Sequence, residues 1–166
     1  MEALNGIRVG FGTDLHKLEA NDRPLILGGV RVPHPENFGP VSHSEGDVVL
    51  HAVTDALLGA AGLGDIGTLF PDSDPAYRDA DSSELLRTAF DMARIVPINI
   101  DIVINCDRPK IGPHRSAMAA SIARLLGIPE QRVNVKAKTF ESLFPRGATE
   151  AIFVQVALLA RINDRL

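Results

Sequence analysis

The residue pattern predicts an α/β (α+β) fold in which helices cover one face of a four-stranded mixed sheet, and three observations carry that reading. Four stretches have the length and alternation of long strands, and three others repeat apolar residues at helical spacing. The two kinds interleave along 166 residues, a length that fits one domain over 1–166 with a core needing no disulfide or structural metal. Finally, the last strand is apolar on both faces, although the few helices can cover only one.

The elements follow in order. Ile7 to His16 reads as a strand, and because side chains alternate, Asp14 and His16 project from the same side. Pro24 to Val32 reads as a short hairpin turning at Gly28-Gly29, and Pro33 to Ser42, with three prolines and Gly39, reads as a loop. Ser44, three residues before Asp47, is expected to cap a helix whose buried stripe is Val49, Val53, Ala56, Leu57 and Ala60 and which ends around Gly62-Leu63-Gly64. A second loop runs from Asp65 to Tyr77, after which Ser82 or Ser83 opens a helix through Leu85, Leu86, Ala89, Phe90 and Ala93. Pro97 to Asn105 alternates as a long strand. Arg108 to His114 is a loop feeding a helix through Met118, Ala119, Ile122 and Leu126, and strands follow at Val133 to Thr139 and from Ala151 to about Ala160. In that final strand Ile152, Val154, Val156 and Leu158 point one way and Ala151, Phe153, Ala157 and Leu159 the other. Something must cover the second face, and a neighbouring subunit in a symmetric homo-oligomer is the expectation.

Composition excludes several classes. A net charge of -4, with no basic run and few aromatic residues, argues against a nucleic-acid surface. No eighteen-residue apolar run spans a bilayer, and the opening residues lack a signal-peptide pattern. The single cysteine, Cys106, permits no internal disulfide and reads as a small apolar filler. A cytoplasmic protein, or the mature form of an organellar one, is expected.

One constellation carries chemistry. Asp14 and His16 on a strand, with His51 inside an amphipathic helix, supply two imidazoles and a carboxylate, the ligand set of a zinc site with one position open. Asp47, His51 and Asp55 are spaced four apart, so Asp47 or Asp55 is expected to orient the far nitrogen of His51. Taken alone, the same residues equally describe a decorated strand edge and a satisfied helix histidine. His34 and His114 read as loop residues.

The surrounding motifs decide between these. Gly12-Thr13-Asp14-Leu15-His16, His43-Ser44-Glu45-Gly46-Asp47, His51-Ala52-Val53-Thr54-Asp55-Ala56-Leu57-Leu58-Gly59, Leu63-Gly64-Asp65-Ile66-Gly67, Phe70-Pro71-Asp72, Pro109-Lys110 and Val133-Asn134-Val135-Lys136-Ala137 stand in the order of one family. The chain closely resembles the 2-C-methyl-D-erythritol 2,4-cyclodiphosphate synthases over nearly its whole length. The resemblance implies a homotrimer with its sheets facing one another and active sites between subunits. It implies cyclisation of 4-diphosphocytidyl-2-C-methyl-D-erythritol 2-phosphate with release of CMP, in the non-mevalonate route to isoprenoid precursors. It further implies zinc on Asp14, His16 and His51, and magnesium or manganese on Glu141. His43 and Thr139 take the positions that stabilise transition-state charge. Asp14, Leu15, His16, His43 and Ser44 match substrate-binding positions. Asp65, Ile66 and Gly67 match the loop receiving the methylerythritol hydroxyls, with Phe70, Pro71, Asp72, Ser73 and Asp74 extending that wall. Cys106, Asp107, Arg108, Pro109, Lys110, Ile111 and Gly112 match the cytidine pocket, and Lys138, Thr139, Phe140 and Glu141 complete the set.

The chain departs from the family pattern at three places. Glu45 stands where aspartate is usual, Lys138 and Phe140 replace a threonine run around Thr139, and Phe144 to Ala151 replaces a Gly-Arg-Gly-Glu-Gly stretch. In that last segment Glu150 falls on the motif's glutamate, Ala148 stands on its arginine, and Arg146 restores an Arg-Gly pair only with gaps. In the family that arginine and glutamate lie at the end of the trimer's central channel, a site for isoprenoid diphosphates, and the resemblance does not extend to that accessory site here. Two other functions use the same metal ligands: a zinc-dependent phosphohydrolase, and a non-catalytic oligomer binding isoprenoid diphosphates.

Overall fold

A computed structural model describes residues 6–71, 73–141 and 150–163. The elements are β1 (Ile7–Ala20), β2 (Ile26–Leu27), β3 (Val30–Arg31), β4 (Phe38–Pro40), α1 (Val48–Ala61), α2 (Ile66–Leu69), α3 (Ser82–Ala93), β5 (Ile95–Asn105), α4 (Arg115–Leu125), β6 (Val133–Lys138) and β7 (Ala151–Ile162). The main sheet has five strands, not four, in the order β4-β1-β7-β5-β6. The unpredicted fifth, β4, lies inside the Pro33 to Ser42 loop. It forms because β1 runs on past His16 to Ala20 and offers Leu18 to Ala20 as an antiparallel partner for Phe38 to Pro40. The predicted hairpin is present, with β2 paired to β3 across Gly28-Gly29.

Strand β7 lies antiparallel to both β1 and β5, while β5 and β6 pair in parallel. Antiparallel and parallel pairs in one sheet make it mixed, as the interleaved pattern implies. Side-chain alternation then divides the sheet. On the helix-covered face, Gly12, Val156, Ile102 and Val135 form one row, and Asp14, Val154, Ile104 and Ala137 the next. Ile102, Ile104, Val154 and Val156 are fully buried beneath α1 and α4 with Val53, Leu57, Met118 and Ile122. The other face leaves Val9 73 %, Phe11 63 % and Leu15 61 % exposed, the uncovered apolar surface that the patterning of β7 anticipates.

Glycine sets how closely α1 approaches. A Cβ on Gly10 would lie 1.8 Å from the Ala56 carbonyl oxygen, and one on Gly12 would lie 2.0 Å from that of Ala52. Bare backbone at these two positions lets α1 settle directly on β1, one residue along the helix from His51. The start of α1 is fixed by Asp47 rather than by Ser44. The Asp47 carboxylate accepts from Val49 N–H at 3.0 Å and Leu50 N–H at 3.1 Å, and also from Gly28 and Gly29 N–H at 2.9 and 2.7 Å. One buried side chain therefore joins the helix start to the hairpin turn. Gly62, in the left-handed conformation, closes the other end.

Candidate active site

Asp14 and His16 leave the covered face of β1 where α1 brings His51 over them. Asp14 Oδ2 lies 3.1 Å from His16 Nε2 and 3.1 Å from His51 Nδ1, and the three potential ligand atoms fall within 4.8 Å of one another. Tetrahedral bonds of about 2.0–2.1 Å put ligand atoms about 3.3 Å apart, so this donor set fits a divalent ion with one position left over. The second nitrogens are also held. His16 Nδ1 is 3.1 Å from the Gly46 carbonyl, which can only accept, so Nδ1 carries a hydrogen and Nε2 is the nitrogen that faces Asp14. His51 Nε2 lies 3.2 Å from both Ser44 Oγ and Ser82 Oγ. Burial raises the Asp14 carboxyl, but hydrogen bonds and charge from His16 and His51 outweigh it and hold the group well below the usual carboxylate range.

The expected aspartate partners of His51 do not serve it. Asp47 is occupied as the cap described above, and Asp55 accepts Ile66 N–H at 2.8 Å, tying α2 to α1. The serines take that role because Ser44, just before α1, and Ser82, at the start of α3, both come within reach of His51 Nε2. Sequence reading missed Ser82 and the Gly46 carbonyl; both contacts join segments far apart in the chain, and only the buried N-terminal serine of an amphipathic helix hinted at one. Glu45, the unusual residue beside this site, accepts Ser82 N–H at 3.2 Å and so helps fix the start of α3.

The triad forms one end of a cleft of about 510 Å³ lined also by Leu15, His43, Ser44, Ile66, Gly67 and Phe70. His43 Nε2 is buried here without a hydrogen-bond partner among the described residues, an unpartnered polar atom in the same cleft as the candidate metal ligands. Asp65 is exposed and caps α2, accepting Thr68 N–H and Oγ–H each at 2.7 Å. Asp74 caps the turn at Pro75–Tyr77 through Ala76 N–H, and Pro71 and Ser73 are exposed beside it. Asp72 lies outside the described residues, as do Phe144, Arg146 and Ala148 of the altered glycine-rich stretch.

The remaining predicted residues gather elsewhere. Cys106, Lys110, Ile111, Gly112, Lys138, Thr139 and Glu141 line a second pocket of about 350 Å³ at the ends of β5 and β6. Thr139 Oγ–H donates to the Glu141 carboxylate, and Asp107 accepts Phe140 N–H at 2.9 Å. Burial pushes the Cys106 thiol up to about 12, and its Sγ–H donates to the Arg108 carbonyl, which suits a filler and not a nucleophile. Asp14 and Ala137 share a row but stand three strand spacings apart, roughly 14 Å, so one chain does not merge its two pockets.

Comparison with known proteins covers nearly the whole chain. The sequence pattern described as the YgbB family matches residues 7–161. A 2-C-methyl-D-erythritol 2,4-cyclodiphosphate synthase of Bordetella petrii is 57% identical over 160 residues, covering 94% of this chain and 97% of its own. One of Dechloromonas aromatica is 50% identical over 160 residues, covering 94% and 98%. A solved structure of a 2C-methyl-D-erythritol-2,4-cyclodiphosphate synthase in its CDP-bound form aligns with TM-score 0.82 at 42% identity, over 92% of this chain and 99% of that one. The Plasmodium falciparum IspF–CDP complex aligns with TM-score 0.80 at 35% identity, over 96% and 99%.

Proposed function

The chain belongs to the YgbB family, the 2-C-methyl-D-erythritol 2,4-cyclodiphosphate synthases, and from that premise we propose how its two pockets divide the reaction. The enzyme is a phosphorus–oxygen lyase of isoprenoid biosynthesis acting on 4-diphosphocytidyl-2-C-methyl-D-erythritol 2-phosphate. An oxygen of the 2-phosphate forms a bond to the diphosphate phosphorus on the methylerythritol side. The bridging phosphorus–oxygen bond breaks, CMP leaves with the electron pair, and the 2,4-cyclodiphosphate remains. A phosphate monoester is largely dianionic at neutral pH, so the attack needs no strong base and no water. What the protein must supply is position and neutralised charge.

The observation carrying this reading is the triad of Asp14, His16 and His51 facing a cleft with one ligand position left over. Two imidazoles and a carboxylate favour zinc, which when bound supplies Lewis-acid charge to phosphate oxygens. Glu141, a single hard carboxylate, suits magnesium or manganese shared with the diphosphate. His43 donates from its unpartnered Nε2 to a phosphate oxygen, and the Thr139 hydroxyl does so from the other pocket. Asp65, Ile66 and Gly67 receive the methylerythritol hydroxyls, backbone groups of Cys106 to Gly112 read cytosine, and Lys110 and Lys138 neutralise the leaving phosphate. Substrate then bridges two copies of the chain, the metal pocket of one and the nucleotide pocket of the next, in a homotrimer whose interface takes the apolar face bearing Phe11 and Leu15. A cytoplasmic or mature organellar setting accords with the lone, reduced Cys106. Phosphorus NMR of products formed with zinc and magnesium tests the reading: the cyclic diphosphate with CMP is expected, and a linear bisphosphate makes the protein a hydrolase instead.

A further inference from the structure

Loop 106–112 is tied to the molecule on two sides. Toward β6, Cys106 N–H donates to the Lys138 carbonyl at 3.0 Å and Asp107 receives Phe140 N–H at 2.9 Å. Toward the segment between β3 and β4, the Arg108 guanidinium donates to Glu36 Oε1 at 2.8 Å. His34, 7 % exposed, stacks flat on Phe38 with ring centroids 5.0 Å apart and accepts Glu36 N–H on Nδ1 at 3.1 Å. That acceptance puts the ring hydrogen on Nε2, and burial lowers the proton affinity of the imidazole, so the ring is a neutral donor. Its Nε2 faces the Arg108 carbonyl without completing a hydrogen bond, while the same carbonyl takes the Cys106 thiol at 2.7 Å. Phe38 belongs to β4, which is paired to β1, so a turn anchored in the sheet holds the Arg108 side chain through Glu36 and sets His34 against its carbonyl.

We propose that His34 and Glu36 are positioning residues that preset the nucleotide-binding loop through Arg108. Backbone recognition of a base demands that the carbonyl and amide groups stand in place before the ligand arrives, and ordering them beforehand removes part of the cost of binding. Cys106, Pro109 and Ile111 anchor the loop in the core, while Arg108, Lys110 and Gly112 are exposed and draw no direct support from that packing. The brace acts on nucleotide affinity and leaves the Asp14, His16 and His51 centre alone. It rests on the reading of Cys106 to Gly112 as the cytidine pocket.

Calorimetric titration with CDP, alongside the metal content of each purified variant and kcat with KM, tests it. Glu36→Gln and His34→Phe are expected to raise the CDP Kd and substrate KM about five- to tenfold, with kcat and metal content unchanged. His34→Gln, whose amide N–H reaches the Nε2 position, is expected to recover most of the loss. Glu36→Gln is expected to add nothing once Arg108 is glutamine. Unchanged CDP affinity in Glu36→Gln and His34→Phe, with binding weakened by Lys110→Ala, overturns the brace while leaving the pocket assigned. Unchanged affinity in Lys110→Ala and Arg108→Gln as well overturns the pocket assignment and the brace with it.

Discussion

Substituting Gly12 by alanine tests the link between the fold and the metal centre. The added Cβ would stand 2.0 Å from the Ala52 carbonyl oxygen and 2.6 Å from the Ala56 nitrogen, and reaching an ordinary 3.4 Å contact with the oxygen requires about 1.4 Å of movement. Both obstacles are helix backbone, so no side chain can swing aside and α1 itself must retreat. Overpacking of this kind costs about 1–3 kcal/mol, and the upper end applies here. His51 is adjacent to Ala52 and moves with it, away from an Asp14 contact of 3.1 Å. Metal sites tolerate roughly 0.2 Å in ligand distance, so metal affinity is expected to fall about 10- to 100-fold. Urea unfolding of the metal-free protein and competition titration with a zinc chelator read the two effects. Gly59→Ala is the control: it lies on the same helix, its nearest non-local atom is 3.9 Å away, and it is expected to stabilise by about 0.5–1 kcal/mol with metal affinity intact. A Gly12→Ala protein with wild-type metal affinity refutes the close-approach argument.

Three further outcomes are expected. Asp47→Ala leaves four N–H groups, three of them buried, without their acceptor and is expected to cost about 3 kcal/mol by urea unfolding; a loss below about 1 kcal/mol contradicts the double role of that carboxylate. Mixing unfolded His51→Ala and Thr139→Ala chains and refolding them together is expected to restore about a quarter of the wild-type sites, since each site draws a sound half from either chain half the time; no recovery in refolded mixtures places both halves in one chain. With its thiol pushed up to about 12 and buried, Cys106 is expected to react with iodoacetamide at pH 8 at least about a hundredfold more slowly in the folded protein than in urea, and equal rates contradict its role as a filler.

The parity of Asp14 and His16 put two candidate metal ligands on one face of β1, and the helical spacing of α1 offered His51 to meet them. Alternation is a local property, so it was legible. Strand β4 was not, because three residues rich in glycine and proline become a strand only where the extension of β1 meets them. The cap of α1 was misplaced by three residues for a related reason. Asp47 wins over Ser44 because it also serves Gly28 and Gly29, a contact across 18 or 19 residues of sequence. The serine partners of His51 likewise depend on the direction in which α3 enters. Residue types marked the Asp14, His16 and His51 pocket and the family resemblance marked the residues of the other, yet only the sheet order, with β7 and β5 between β1 and β6, showed that one chain keeps them apart.

The central claim is that the substrate's own phosphate, and not water, attacks the diphosphate. Turning the reaction over in water enriched in oxygen-18 and weighing both products by mass spectrometry tests it most directly. The account predicts an unlabelled cyclic diphosphate and unlabelled CMP. One atom of oxygen-18 in either product, with a linear phosphate in place of the ring, contradicts it.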